Sequence, residues 1–222
     1  MIKVEIDLNA LKANLRYIKA KAGVPVLAVV KADAYGHGLI RCAQAAVDAG
    51  ADYLGTATLT EAIALREAGI KAPLLAWLLP PGEDFKRAVQ LDIELGLSSL
   101  AAFDEVNKIA GAKIHLEVES GMGRGGFSNE WPELLNRDLS NVVGIFTHLA
   151  RADEPNEAQN KIQIENFEKF IEDLKARGLN PIRHLSNTAA TLSNSHAKFD
   201  MVRVGIARSE EHTSELQSRL HL

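Results

Sequence analysis

The sequence has a single cysteine, Cys42, so no disulfide can form within the chain. A lone thiol fits a reducing compartment. There is no basic excess: 25 Lys and Arg against 29 Asp and Glu give a formal net charge of −4. No nucleic-acid partner is therefore expected. Long hydrophobic runs are also lacking. The stretches at 24–30 and 74–79 fall far short of the roughly 20 apolar residues that span a bilayer. Residues 1–7 carry no apolar signal-peptide core, so a cytoplasmic protein without membrane contact is expected. The seven histidines show no ligand spacing such as H-E-x-x-H, and no metal site is expected.

What is present is an ordinary globular composition, 46% hydrophobic and 24% charged over 222 residues, long enough to bury a substantial core. Short apolar runs alternate with segments of helical period. Strands are expected at 26–30, 53–56, 73–79, 93–97, 114–118, 142–147, 182–185 and 201–204. The clearest helix, 157–177, repeats Ile164, Phe167, Phe170, Ile171 and Leu174 on one face and stops at Gly178. An earlier helix at 9–21 carries Leu11, Leu15 and Ile18 on one stripe. Strands alternating with helices imply a parallel sheet. Eight of them predict an α/β protein with a (β/α)8 TIM-type barrel, the doubly wound open sheet being the competing reading. Residues 1–8 read as an additional strand that pairs outside the barrel.

The chain's last residues break this pattern. Arg208-Ser209-Glu210-Glu211-His212-Thr213-Ser214-Glu215-Leu216-Gln217-Ser218 has neither period nor core, and it is what a common sequencing adaptor encodes. Residues 208–222 are accordingly read as a non-native, disordered tail, leaving 1–207 as the barrel domain.

In a parallel barrel the chemistry sits at the C-terminal ends of the strands. Polar and glycine residues collect there. Lys31 ends the first barrel strand, where apolar surroundings favour the neutral amine of Schiff-base chemistry. By position alone, a lysine snorkelling from a strand end is the favoured reading. Asn187 and Thr188 precede a short helical stretch, and Gly205 follows the last strand. Barrels often bind phosphate in this region, although simple capping and a loop glycine explain the same residues. Residues 121–126 formally match G-x-G-x-x-G. The next helical stretch is short and contains Pro132, and no acidic residue follows at the end of a second strand, so a dinucleotide site is not expected. Arg124 in this loop suits a carboxylate ligand. His148 fits a catalytic group, a ring-stacking plate or a satisfied strand-end histidine.

Taken together, these strings resemble one family. Ala28-Val29-Val30-Lys31-Ala32-Asp33-Ala34-Tyr35-Gly36-His37-Gly38 resembles the cofactor-lysine signature of the alanine racemases. The likeness continues through Gly121-Met122-Gly123-Arg124, Thr147-His148, His184-Leu185-Ser186-Asn187-Thr188 and residues 199–207, in the family's order. The resemblance implies a racemase dependent on pyridoxal 5'-phosphate that interconverts L- and D-alanine by a two-base mechanism. A racemase of serine or a basic amino acid, or a non-catalytic pyridoxal-phosphate barrel, is the alternative on the same fold.

The resemblance also implies individual roles. Lys31 holds the cofactor covalently and then serves one face of the substrate Cα. Tyr35, Asn187, Thr188, Gly205 and Ile206 surround the phosphate, His148 stacks on the ring, Arg203 faces the pyridine nitrogen and Arg124 holds the substrate carboxylate. The expected ligand is a small amino acid, and the expected full-length form is a homodimer with shared active sites. This chain departs from the pattern in lacking the family's mostly-β C-terminal domain, which carries the opposite-face base. The given chain is therefore expected to be inactive. It departs also in Glu117, where a lysine is usual, in Val204 for proline and in Thr188 for serine.

Deleting residues 208–222 is expected to leave the thermal midpoint unchanged. A drop of several degrees in a thermal melt would show that the tail is part of the fold.

Overall fold

The alternating apolar runs and helical segments become successive β/α units in the computed structural model, which describes residues 5–193 and 197–205. Helix α1 (Leu8–Ala22) comes first. The Asp7 carboxylate accepts from the N–H groups of Asn9 and Ala10 at 2.8 and 3.2 Å, and Gly23 ends the helix at φ 68°. Then follow β1 (Val26–Val29), α2 (Lys31–Gly36), α3 (Leu39–Asp48), β2 (Tyr53–Thr56), α4 (Leu59–Glu67) and β3 (Leu74–Ala76). The middle of the chain supplies α5 (Phe85–Gln90), β4 (Glu94–Leu97), α6 (Leu100–Val106), β5 (Ile114–Glu117) and α7 (Trp131–Leu134). Strand β6 (Val142–Phe146), α8 (Ala158–Lys175), β7 (Ile182–His184), α9 (Thr188–Ser193) and β8 (Val202–Val204) complete the described elements.

The eight strands are parallel, in the order β7-β6-β5-β4-β3-β2-β1-β8. The two ends of this order meet. His184 bridges Met201, the Arg203 N–H donates to the Ser186 carbonyl at 2.8 Å, and the Asp200 N–H donates to the Arg183 carbonyl at 3.0 Å. The fold is therefore the nearly closed (β/α)8 barrel, and the open-sheet reading falls because its two edges would not touch. Two expectations need correcting. Strand β3 stops at Ala76 instead of reaching residue 79, because the N–H groups of Trp77 and Leu78 both turn to the Ala57 carbonyl, at 3.3 and 2.7 Å. The strand expected over 1–8 cannot include Leu8, which already opens α1, and residues 5–7 form no strand. Residues 1–4, Ile206 and the tail 208–222 lie outside the described residues.

Alternation along each strand sorts side chains to two faces. Val26, Ala28, Leu54, Leu74, Leu95, Leu97, Ile114 and Leu116 face the helices and pack in one buried cluster with Leu15, Phe103 and Phe167. The intervening positions point into the barrel. On one side they are apolar: Leu27, Val29, Leu75 and Met201, with Trp77 packed against them. Across from these, β4, β5, β7 and β8 put Glu94, His115, His184 and Arg203 inside, all buried. Gly144 on β6 makes room for them, since a Cβ there would lie 2.0 Å from His115 Nδ1.

Interiors packed at crystal density resist one extra methyl. Gly144→Ala is expected to cost about 1–3 kcal/mol. Gly125→Ala, where an added Cβ meets nothing within 4 Å, is expected to change stability by less than about 0.5 kcal/mol. Urea midpoints of the two variants check this, and equal losses would refute the packed polar interior.

Candidate active site

A cavity of about 610 Å³ opens at the C-terminal ends of the strands. Its walls bring together Lys31, Tyr35, Arg124, His148, Asn187, Thr188, Arg203 and Gly205. These are all the site residues expected from sequence except Ile206, which lies outside the described part.

Lys31 follows β1 and opens α2, a turn of the wrong hand. Ala32, Asp33, Ala34 and Tyr35 have φ between 51° and 57°, in the left-handed region. Each such non-glycine residue costs about 1–2 kcal/mol, so the surroundings must impose the turn. The Ala32 N–H donates to Glu61 Oε1 at 2.6 Å, the Leu39 N–H donates to Asp33 Oδ1 at 2.6 Å, and Ala34 is buried. Glu61 also closes the capping box of α4 with Thr58, so one carboxylate ties the turn to the next β/α unit. The turn swings Tyr35 across the barrel mouth to β8. A Cβ on Gly205 would lie 2.1 Å from the Tyr35 hydroxyl, so any side chain there would displace Tyr35.

Arg203 rises from β8 with 8% of its surface exposed. It donates to the carbonyls of His184 at 2.8 Å, Thr147 at 2.7 Å and Leu185 at 3.3 Å, and lies 5.4 Å from the Phe146 ring centroid. Burial lowers its pKa to about 10, with Glu117 opposing and Arg124 adding to the fall. The guanidinium therefore remains a cation at neutral pH and can only donate. His148 Nδ1 lies 3.3 Å from it. Burial, then the charges of Arg203, Arg124 and Lys31, push the His148 pKa down to about 3. That imidazole is neutral at physiological pH. Burial first, and then Arg124, lower the Lys31 pKa against the opposing pull of Glu61. The amine thus moves toward its nucleophilic form. Burial raises the Glu117 carboxyl, while Arg124 and Arg203 pull it down.

The glycine loop after β5 is held by a residue that the sequence reading passed over. Glu119 accepts from the backbone N–H groups of Gly121, Met122, Gly123 and Arg124 at 2.5, 2.5, 2.8 and 3.1 Å. Burial raises its pKa, but these donors outweigh that and leave it below the usual value. The visible signal is an acid directly ahead of a run of small residues. Val118 and Phe127 pair as the loop returns, and glycine is favoured at 126, where φ is 120° and a Cβ would strike the Val118 backbone. The loop is a clamp that presents Arg124 to the cavity, and the dinucleotide reading fails in structure as in sequence. Asn187 Oδ1 caps α9 by accepting from the Ala190 N–H at 3.0 Å, and Thr188 Oγ1 accepts from the Gly205 N–H at 3.1 Å. Trp77 and Phe146, which also line the cavity, were unforeseen.

A parallel barrel with an amine, two guanidiniums and a neutral imidazole around one rim cavity is an enzyme-type site. Its field suits an anionic ligand and its lysine suits a carbonyl partner. The model of the alanine racemase N-terminal domain matches residues 6–208, and the chain belongs to that family. The alanine racemase of Thermobifida fusca is 43% identical over 220 residues, covering 92% of this chain and 59% of its own length. That of Salinispora tropica is 41% identical over 219 residues with the same coverage. The chain therefore spans 59% of the length of these curated relatives. The crystal structure of alanine racemase from D-cycloserine-producing Streptomyces lavendulae superposes with a TM-score of 0.92 at 37% identity, covering 98% of this chain and 62% of that one.

The depressed imidazoles set a pH dependence. An unfolded histidine titrates near 6.5, whereas His148 titrates near 3, and buried His184 lies well below 6.5. Between those values the unfolded chain binds the extra protons. Stability is therefore complete above about pH 6.5 and falls as the pH is lowered, by about 1.4 kcal/mol per pH unit for each such group. Histidine NMR of the chain is expected to show no titration of His148 or His184 between pH 5 and 8. A midpoint near 6.5 for either would overturn this electrostatic picture.

Proposed function

We propose that this chain is the pyridoxal-phosphate-binding barrel of an alanine racemase, and that the full-length protein interconverts L- and D-alanine. The observation that carries this reading is the meeting of Lys31, Arg203 and Arg124 in one cavity of a chain that belongs to this family. The residues present fit the cofactor. A partly buried lysine of lowered pKa suits its aldehyde, a buried guanidinium suits its pyridine nitrogen, and the side-chain-free Gly205 beside Tyr35 and Thr188 suits close approach of its phosphate. Pyridoxal phosphate, when bound, supplies the aldehyde that joins an amino group and the ring that makes the substrate Cα–H acidic.

The chain's own groups do the rest. Lys31 would hold the cofactor, and its amine, when free, would hold or return a proton at one face of Cα. Arg203, a buried cation that only donates, would face the ring nitrogen and favour its unprotonated form, which would disfavour side reactions such as transamination. The neutral His148 ring would pack on the cofactor. Tyr35, Asn187, Thr188, Gly205 and Ile206 would take the phosphate. Arg124, carried on the clamp of Glu119, takes the substrate carboxylate, and Glu117 balances the charge of the two arginines. The opposite face of Cα falls to the part of the full-length protein beyond this chain, delivered by the partner subunit of a homodimer. General acid–base assistance is worth roughly 10²–10⁴-fold, so the chain alone is expected to turn over poorly.

Reduction with borohydride after incubation with pyridoxal phosphate is expected to label the peptide containing Lys31, and Lys31→Ala is expected to lose that label. In the full-length protein the same substitution is expected to abolish conversion of L- into D-alanine. A stable label on another lysine, or racemisation that survives Lys31→Ala, would refute the assignment.

A further inference from the structure

We propose that Glu94 and His115, deep in the barrel, are positioning residues that act through His184 to orient Arg203 at the cavity. His115 Nε2 lies 2.8 Å from Glu94 Oε2, His115 Nδ1 lies 2.8 Å from His184 Nε2, and His184 Nδ1 lies 3.3 Å from an Arg203 guanidinium nitrogen. Both rings are fully buried and meet edge to face, centroids 5.0 Å apart. The line runs from β8 at the cavity, through β7 and β5, to Glu94, the first residue of β4 and hence at the opposite end of the barrel. There the other Glu94 oxygen faces the Lys113 ammonium at 3.9 Å, and Lys113 in turn pairs with exposed Asp92 at 2.8 Å.

The direction of each hydrogen bond follows from its two ends. A guanidinium has no acceptor, so His184 Nδ1 accepts and its proton sits on Nε2. His184 Nε2–H then donates to His115 Nδ1, which leaves the His115 proton on Nε2, donated to the Glu94 carboxylate. Starting instead from the carboxylate, which only accepts, yields the same tautomers in the reverse order. Both imidazoles are thus neutral and locked. A proton on His184 Nδ1 would set N–H against N–H at Arg203 and release the guanidinium from one of its fixed partners. Buried polar chains of this kind matter only when every member is satisfied, and Gly144 is the opening in the wall that lets His115 take its place. These groups bear on catalysis only through the reading of the cavity proposed above, whereas the tautomers stand or fall without it.

The test uses the whole chain without cofactor, labelled with 15N at histidine. Long-range proton–nitrogen correlation separates protonated from bare ring nitrogens. His184 and His115 are both expected to be protonated at Nε2 and bare at Nδ1. Glu94→Ala, which removes the acceptor that orients His115, is expected to shift the ring signals of His115 and His184, while Glu94→Gln, which keeps an acceptor oxygen, returns them toward their wild-type positions. Borohydride labelling of Lys31 in the same variants reports separately on the cofactor reading. A wild-type His184 protonated at Nδ1 would overturn the proposal without any variant, and so would His184 signals that Glu94→Ala leaves unmoved in a folded chain.

Discussion

A full positive charge buried inside a parallel barrel is the constraint around which this site is organised. Removing a guanidinium from water costs several kcal/mol unless its donors are met. Arg203 meets that demand with three carbonyls, the face of Phe146 and the nearby charge of Glu117. Its neighbours are constrained in turn. His148 and His184 lie within hydrogen-bond reach of a group that only donates, and both imidazoles are held neutral. Burial and then Arg124 lower the Lys31 pKa, and Arg203 adds a smaller push in the same direction. One arginine thereby bears on the protonation of two imidazoles and an amine.

The second constraint is backbone geometry at Lys31. Four consecutive residues in the left-handed region have no intrinsic reason to form. They persist because Glu61 takes the Ala32 N–H and Asp33 accepts from the Leu39 N–H just beyond the turn, and the outcome places Lys31 and Tyr35 on one cavity. Strain of this sort concentrates where function requires a geometry that regular structure cannot supply. The Glu119 clamp solves a related problem by different means. Four backbone donors converge on one carboxylate, so a glycine loop that would otherwise be mobile presents Arg124 in a defined place.

Much of the architecture was legible in the sequence, because β/α alternation is a one-dimensional consequence of burying strands on both faces. The eight strands were expected within a few residues, and the end of β3 was missed because it depends on Ala57, a residue in another β/α unit. The rim residues could be listed because parallel barrels place chemistry at the strand ends. Their assignment to a family rested on resemblance and not on periodicity.

What the sequence by itself determined is therefore the barrel, its strand ends and the residue types available there, all of which follow from local pattern. What only the tertiary structure decided is how those residues work on one another. The low pKa of His148, the fixed charge of Arg203 and the link from Glu94 through His115 to His184 join groups far apart in the chain. The roles of Glu119 and Glu61 show only once the loops they hold are folded around them. Electrostatic coupling falls with distance in space and is blind to distance along the chain. Its pattern consequently exists only once the barrel has closed and brought β4, β5, β7 and β8 around a common interior.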